Sequence, residues 1–161
     1  MTVDSRKTKR LIIASVGVIA VLVFIGLQAN KAVDTGPLKG KIATVYRSAT
    51  CGCCANYITY LRRQGVKVDE KISDDMDAVK RQYGVPTELS SCHTTIIDGY
   101  TVEGHIPVEA IGKLLAERPA LVGIALPRMQ SGSPGMPGTK YGTFDIAGFV
   151  TSGSYSPYVS I

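Results

Sequence analysis

Lys41 to Gln64 read KIATVYRSATCGCCANYITYLRRQ, which predicts a strand, a cysteine motif and a helix in immediate succession. Lys41 to Ser48 is rich in β-branched and aromatic residues, as strands are. Ala55 to Gln64 repeats apolar residues at helical spacing, at Tyr57, Ile58 and Leu61. Three thiols therefore lie where a helix begins, and the positive end of a helix dipole lowers the pKa of a thiol.

Further elements follow in a regular order. We predict a strand at Val66 to Ile72, a helix from Ser73-Asp74-Asp75 to Tyr83, a hairpin of Thr94 to Ile97 and Tyr100 to His105 around Asp98-Gly99, and a third helix from Pro107 to Arg118. This β-α-β-α-β-β-α order predicts an α/β domain over residues 41–120 that resembles the thioredoxin and glutaredoxin fold. Residues 121–161 are expected to be a Gly/Pro/Met-rich loop and a C-terminal extension, with one more strand within Tyr141 to Val150 and no assignment for Tyr155 and Tyr158.

The basic charge of the chain is concentrated at its N-terminus. The chain carries 18 Lys and Arg against 13 Asp and Glu, a formal net charge of +5, and Arg6, Lys7, Lys9 and Arg10 lie in the first ten residues. The rest is close to neutral and offers no basic stripe, which argues against a nucleic-acid partner.

An uncharged apolar segment, Leu11 to Leu27, follows the basic residues 1–10. As a helix it would extend roughly 25 Å, close to the ~30 Å of a bilayer core. We expect a transmembrane signal anchor, with a cleaved signal peptide as the alternative, because Gln28-Ala29 is a poor cleavage site. Residues 28–40 are expected to be a linker. The positive-inside rule keeps the basic segment cytoplasmic and places the domain in the periplasm, tethered to the inner membrane or released by cleavage.

The cysteine cluster carries the strongest chemical signal. Cys51, Cys53 and Cys54 put three thiols within four residues, more than a dithiol oxidoreductase needs. Thiolates prefer soft ions, and Cu(I) is the first candidate. Zinc is the alternative, although structural zinc sites usually use two separated C-x-x-C knuckles.

Cys92 and His93 are expected to face that cluster. They precede the predicted hairpin, where thioredoxin-like chains carry a cis-proline loop against the cysteine motif, and no proline occupies the loop here. His105 is either a further ligand or a cap of the third helix. Met129 and Met136 are weaker candidates, as thioether ligands or as packing residues in a flexible loop.

Two alternatives use the same cysteines. In a thiol-disulfide oxidoreductase, Cys51 would be the nucleophile and Cys54 the resolving thiol, and a copper-redox enzyme would be a hybrid of that activity with metal binding. A purely structural domain would use the cysteines as a disulfide staple.

Five short motifs, CGCC, SCHT, VEGHIP, ERP and GSPGM, appear in order between Ile42 and Met136. Together they resemble the CopG-type copper-resistance proteins, the thioredoxin-like periplasmic family and not the DNA-binding repressor of that name. The resemblance implies an exported bacterial protein that binds copper through a cysteine-bridged cluster and serves copper handling, with copper redox chemistry as a further option. We expect more than one Cu(I) per chain, and periplasmic copper-handling proteins as partners. The resemblance also implies Cys51, Cys53, Cys54 and Cys92 as thiolate ligands, with His93 and His105 on histidine positions of the family. Tyr57 and Tyr60 stand where the family commonly has Trp and His.

Overall fold

The structure is a computed structural model that describes residues 36–161. It is a mixed α/β fold whose elements are β1 (Ile42–Arg47), α1 (Gly52–Arg63), β2 (Lys67–Ile72), α2 (Met76–Gln82), a short 3-10 turn (Thr87–Leu89), β3 (His93–Ile97), β4 (Tyr100–Glu103), α3 (Val108–Glu117), β5 (Gly123–Ala125), β6 (Asp145–Phe149) and β7 (Tyr155–Ser160). The predicted β-α-β-α-β-β-α order of the first seven helices and strands is confirmed.

All seven described strands form one sheet in the order β2-β1-β3-β4-β5-β6-β7. β1 runs parallel to β2 and antiparallel to β3, and β4 runs parallel to β5, while the remaining pairs are antiparallel. In the pairing of β1 with β3, Arg47 lies opposite His93. The end of β1 therefore meets the start of β3, which brings the chain after Arg47 beside the chain before His93.

Some predicted boundaries are wrong by a few residues. α1 begins at Gly52 and not at Ala55, so Cys53 and Cys54 belong to its first turn. β4 ends at Glu103 because Gly104 adopts a φ of +80°, which ends the extended run before His105. Pro107 is the N-cap of α3 and lies just outside the helix.

The C-terminal residues extend the sheet. β5 continues it from β4, β6 occupies the second half of the predicted Tyr141 to Val150 strand, and β7 contains the unassigned Tyr155 and Tyr158. β5 has only three residues, too few for a periodic pattern, and this is why the sequence did not predict it.

The core lies between the helices and the sheet. The predicted apolar face of α1 is confirmed, since Tyr57, Ile58 and Leu61 are at most 1 % exposed and pack with Val45 of β1. Leu38, in the part of the predicted linker that the structure describes, is also fully buried in this core.

The predicted basic segment, the apolar segment 11–27 and linker residues 28–35 lie outside the described residues. Between residues 36 and 161, no helix combines the length and the apolar character needed to cross a membrane.

Candidate metal centre

The four cysteines meet at one end of the sheet. Cys51, Cys53 and Cys54 follow β1 and open α1, and Cys92 directly precedes β3, the strand paired with β1. The Sγ atoms of all four lie within 4.8 Å of one another. Sequence reasoning expected this approach of Cys92 to the cysteine motif, and the pairing of β1 with β3 explains it.

Two of the cysteines are oxidised and two are free. Cys51 and Cys54 form a disulfide, whereas Cys53 and Cys92 are thiols. Cys53 Sγ lies 3.5 Å from Cys51 Sγ and 3.9 Å from Cys92 Sγ. When the disulfide is reduced, four sulfur ligands are available within one small volume.

The start of α1 favours negative charge on these sulfurs. Cys51 is the N-cap, no side chain caps the helix, and no acidic residue lies in its first turn. The unpaired backbone N–H groups of the first turn and the helix dipole stabilise an anion there. The N-terminus of α1 is therefore electrostatically compatible with the anionic sulfur ligands that metal binding requires.

A second group of ligand atoms lies behind Cys92. Its Sγ is 3.4 Å from Nδ1 of His93 and 3.0 Å from Nε2 of His105. Both imidazoles are fully buried, and the ligand atoms of the three residues lie within 4.8 Å of one another. Cys92 thus belongs to two groups of ligand atoms. The first consists of four cysteine sulfurs, and the second consists of the Cys92 sulfur and two imidazoles.

Hydrogen bonds assign how His105 presents its ring. Nδ1 lies 2.7 Å from the carbonyl oxygen of Pro134, which can only accept, so Nδ1 carries the proton and donates. Nε2 is then left with a lone pair directed at Cys92. His105 does not cap α3, because that helix has no side-chain cap, and one of the two roles considered for it is thereby excluded.

His93 has an unsatisfied nitrogen. Its Nε2 is buried and has no hydrogen-bond partner among the described residues. Buried polar atoms are nearly always paired, so Nε2 is an exception. The nitrogen that faces Cys92 is Nδ1, and together with Cys92 Sγ and His105 Nε2 it forms a donor set that fits a metal ion held by sulfur and imidazole.

The protonation states of the inner group follow from burial. Burial lowers the pKa of both histidines, and for His93 the neighbouring His105 and Lys80 lower it further. Both rings are neutral and available as ligands at neutral pH. Burial, with Cys53 beside it, raises the pKa of the Cys92 thiol to about 12, so a metal bound at Cys92 must displace a proton.

Tyr57 and Tyr60 have structural partners here. The Tyr57 ring lies 4.5 Å from the His93 ring and 5.5 Å from the His105 ring, and its hydroxyl donates to the carbonyl of Ile106. The Tyr60 hydroxyl accepts a hydrogen bond from the Val108 backbone N–H at the start of α3. Tyr57 therefore packs against the two imidazoles and restricts their position. Tyr60 provides an acceptor for a backbone N–H at the start of α3 that has no partner within the helix.

A buried ion pair supports the loop that carries Cys92. Glu103 Oε1 lies 2.5 Å from Nζ of Lys80 and accepts from the Ser91 backbone N–H at 2.7 Å, while Oε2 accepts from Thr94 Oγ1 at 2.7 Å. Glu103 is 0 % exposed. This pair could not be predicted from the sequence, because nothing local marks Lys80 and Glu103 as buried or as neighbours.

The loop after β5 packs on α1 beside the cluster. Pro134 bonds His105, Gly135 lies against the backbone of Cys53 and Tyr57, and Met136 borders the same cleft as Cys53. Met129 is 54 % exposed. Of the two methionines considered, the structure brings only Met136 close to the cluster region.

Gly135→Ala is expected to move this loop away from α1. Gly135 has a φ of +83°, and a Cβ at this position would lie 2.6 Å from the Tyr57 backbone nitrogen. Strain and overlap should lower the free energy of unfolding by about 1–3 kcal/mol. Chemical denaturation measures this loss, and Gly142→Ala, also at positive φ but with open space around its Cβ, is the matched control. Equal losses in the two variants would contradict the packing role of Gly135.

The chain is similar to known proteins. Residues 89–136, which include Cys92, His93 and His105, match a family described as a protein of unknown function, DUF411. No curated protein sequence matches. Two solved structures are similar, "Copper resistance protein copG- Form 2", with 43% identity and a TM-score of 0.69, and "Copper resistance protein copG- Form 1", with 44% identity and a TM-score of 0.68. The first comparison covers 75% of this chain and 98% of the other, and the second covers 74% and 96%.

Proposed function

Because this chain belongs to the family of the CopG copper resistance proteins, we propose that it binds copper as cargo, as Cu(I), in a thiolate-bridged cluster that serves copper handling. The cluster would be built on a thioredoxin-like scaffold made by the first four strands and three helices. Cys51, Cys53, Cys54 and Cys92 would supply thiolates, and His93 and His105 would supply neutral imidazoles.

One observation carries the proposal, namely two groups of ligand atoms that share Cys92. Six ligand residues, one of which is the shared Cys92, are more than a single tetrahedral ion uses. A thiolate can bridge two ions, so the arrangement favours more than one metal ion per chain. Sulfur and neutral imidazole are the donors that Cu(I) prefers, whereas no carboxylate belongs to either group. Zinc also accepts these donors and is the competing metal.

The Cys51–Cys54 disulfide favours a second candidate function, thiol-disulfide exchange. Cys51 is the N-cap of α1, where a thiolate is stabilised. Two external thiols would reduce the disulfide, leaving two protein thiols and one external disulfide. In this alternative the metal ligands would also be the redox pair, and a copper-redox enzyme would combine both activities.

The proposal includes a location. An N-terminal basic segment followed by an apolar segment supports an exported domain, tethered to the inner membrane or released by cleavage. Disulfides form in the periplasm, which agrees with the pairing of Cys51 and Cys54. Protease protection of the intact chain in inverted and right-side-out vesicles would test this orientation.

A metal titration separates the candidates. The full chain, purified in mild detergent and kept anaerobic, is titrated with Cu(I) after reduction and again with its disulfide intact. The reduced chain should bind more than one Cu(I) and should prefer Cu(I) to zinc in competition. The oxidised chain should bind fewer ions, because Cys51 and Cys54 are then not thiolates. Equal binding by the two forms would contradict the four-thiolate site, and insulin reduction without any copper binding would favour the oxidoreductase.

A further inference from the structure

An open cleft of about 710 Å³ extends along α1 away from the cysteine cluster. Cys53, Asn56, Tyr60 and Arg63 line one wall, and they are spaced three, four and three residues apart, so they lie on one face of the helix. The loop of Gly135, Met136 and Pro137 forms the other wall. Neither His93 nor His105 lines the cleft, whereas Cys53, which carries a free thiol, does.

The two ends of the cleft differ in chemistry. One end has the free Cys53 thiol, with the loop at Gly135 packed against the Cys53 carbonyl. The other end has the exposed Arg63 guanidinium, which makes no ion pair with any residue in the range 36–161. Ten residues of helix separate them, or about 15 Å at 1.5 Å per residue.

The charge of the lining residues indicates which kind of ligand fits the cleft. No acidic residue is among those that line the cleft, so an unpaired cation faces an otherwise neutral, polar channel. Between the ends, the Asn56 amide donates to the Gly135 carbonyl, the Thr59 hydroxyl donates to the Ala55 carbonyl, and the Tyr60 hydroxyl accepts from the Val108 N–H. Each group keeps further hydrogen-bonding capacity that a peptide backbone can use, namely the second N–H and the oxygen of Asn56, the Thr59 lone pairs and the Tyr60 O–H. An extended peptide covers 15 Å with about four to five residues.

We propose that this cleft docks an extended segment of a partner protein, with a sulfur donor at Cys53 and a carboxylate at Arg63, and that copper is exchanged there. The inference rests on the proposed copper-binding function. The exchange is a ligand substitution in which a Cu(I)–sulfur bond to the partner breaks as one to Cys53 forms. Copper keeps its oxidation state, and the proton displaced from the Cys53 thiol passes to the departing sulfur or to solvent.

The test uses pairs of blocked pentapeptides loaded with Cu(I). Each peptide carries Cys at one end and Glu at the other, and both the Cys-to-Glu and the Glu-to-Cys sequences are made. In a matched set, Gln or Lys replaces Glu. Transfer to the reduced full chain is followed by stopped-flow absorption. Arg63→Glu should slow transfer from a Glu peptide roughly tenfold, because an attractive contact becomes repulsive.

Arg62→Glu is the matched control, since Arg62 is exposed on the same helix turn but does not line the cleft. It should change the transfer rate less than about twofold, the change expected of a screened, distant charge. The Lys peptide should restore fast transfer to the Arg63→Glu variant. Equal rates for the Glu and Gln peptides, or equal effects of the two arginine variants, would overturn the docking proposal.

Two further readouts keep this inference distinct from the proposed function. Direct Cu(I) titration should give the same stoichiometry in the wild type and in both arginine variants, and a wild type without bound copper would refute the copper function alone. Binding of the metal-free Glu peptide, measured by calorimetry, should weaken in Arg63→Glu and not in Arg62→Glu. If the two variants bind the metal-free Glu peptide equally well, the assignment of the cleft as a docking site is refuted, whether or not the chain binds copper.

Discussion

Cys92→Ser is expected to remove most of the copper bound by the reduced chain. Cys92 Sγ belongs to both groups of ligand atoms, so its loss breaks the four-sulfur group and the group with His93 and His105 together. Removing an outer-shell partner of a metal typically costs 10–100-fold in affinity. Removing a shared, direct ligand should cost more than about a hundredfold and leave at most one weakly held ion.

Cys53→Ser is the informative comparison. Cys53 belongs to the four-sulfur group only, so its replacement should leave copper on Cys92, His93 and His105. Both variants exchange sulfur for oxygen in a half-buried cysteine, which makes their effects on folding comparable. Circular dichroism and thermal unfolding of the metal-free variants check that assumption.

Metal analysis after gel filtration and the thiolate-to-copper charge-transfer absorption measure the outcome. The expected order of bound copper is wild type, then Cys53→Ser, then Cys92→Ser. If the two variants lose the same amount, Cys92 is not shared between two metal positions. If neither loses copper, the cluster is not the binding site.

The grouping of the cysteines could be predicted from the sequence because its strongest signals are local. Three cysteines within four residues are visible in the sequence without any knowledge of the fold. The helices and strands with clear periodicity were predicted correctly for the same reason. The approach of Cys92 to the motif was expected from the resemblance to thioredoxin-like chains, in which the loop before the hairpin packs on the cysteine motif.

The features that sequence reasoning missed are non-local. Tyr57 was identified as a core residue of α1, but its contact with two imidazoles depends on how α1 lies over β3 and the turn after β4. The role of Pro134 depends on a loop that returns to the site from 29 residues beyond His105. β7 contains Pro157 and mostly exposed side chains, so it lacks the alternation that predicts a strand.

Glu103→Ala is expected to have the largest effect on stability. It would leave the Lys80 ammonium buried without a counter-ion, and the Ser91 N–H and Thr94 hydroxyl without their acceptor. Breaking a buried ion pair by removing one partner typically costs about 3–5 kcal/mol, a large part of the stability of a small domain. Urea denaturation of the metal-free, reduced chain should show this loss in the midpoint, or the variant should fail to fold.

Glu103→Gln retains the shape and one acceptor, so it separates charge from hydrogen bonding. Its amide oxygen can still accept from the Ser91 N–H, while Lys80 loses its opposite charge. We expect a smaller loss of stability than in Glu103→Ala, together with copper binding close to that of the wild type. A Glu103→Gln variant as unstable as Glu103→Ala would show that the charge, and not the loop contact, dominates.

The double variant Lys80→Met/Glu103→Leu tests whether the pair serves stability or position. Replacing both members of a buried ion pair by apolar residues of similar volume is often neutral or stabilising, so this variant should recover most of the stability that Glu103→Ala loses. It cannot restore an acceptor for the Ser91 N–H, the backbone group next to Cys92. If Glu103 is a positioning residue, the double variant should fold and still bind copper more weakly than Glu103→Gln. Full stability with full copper binding would instead show that the Cys92 loop keeps its place without the carboxylate.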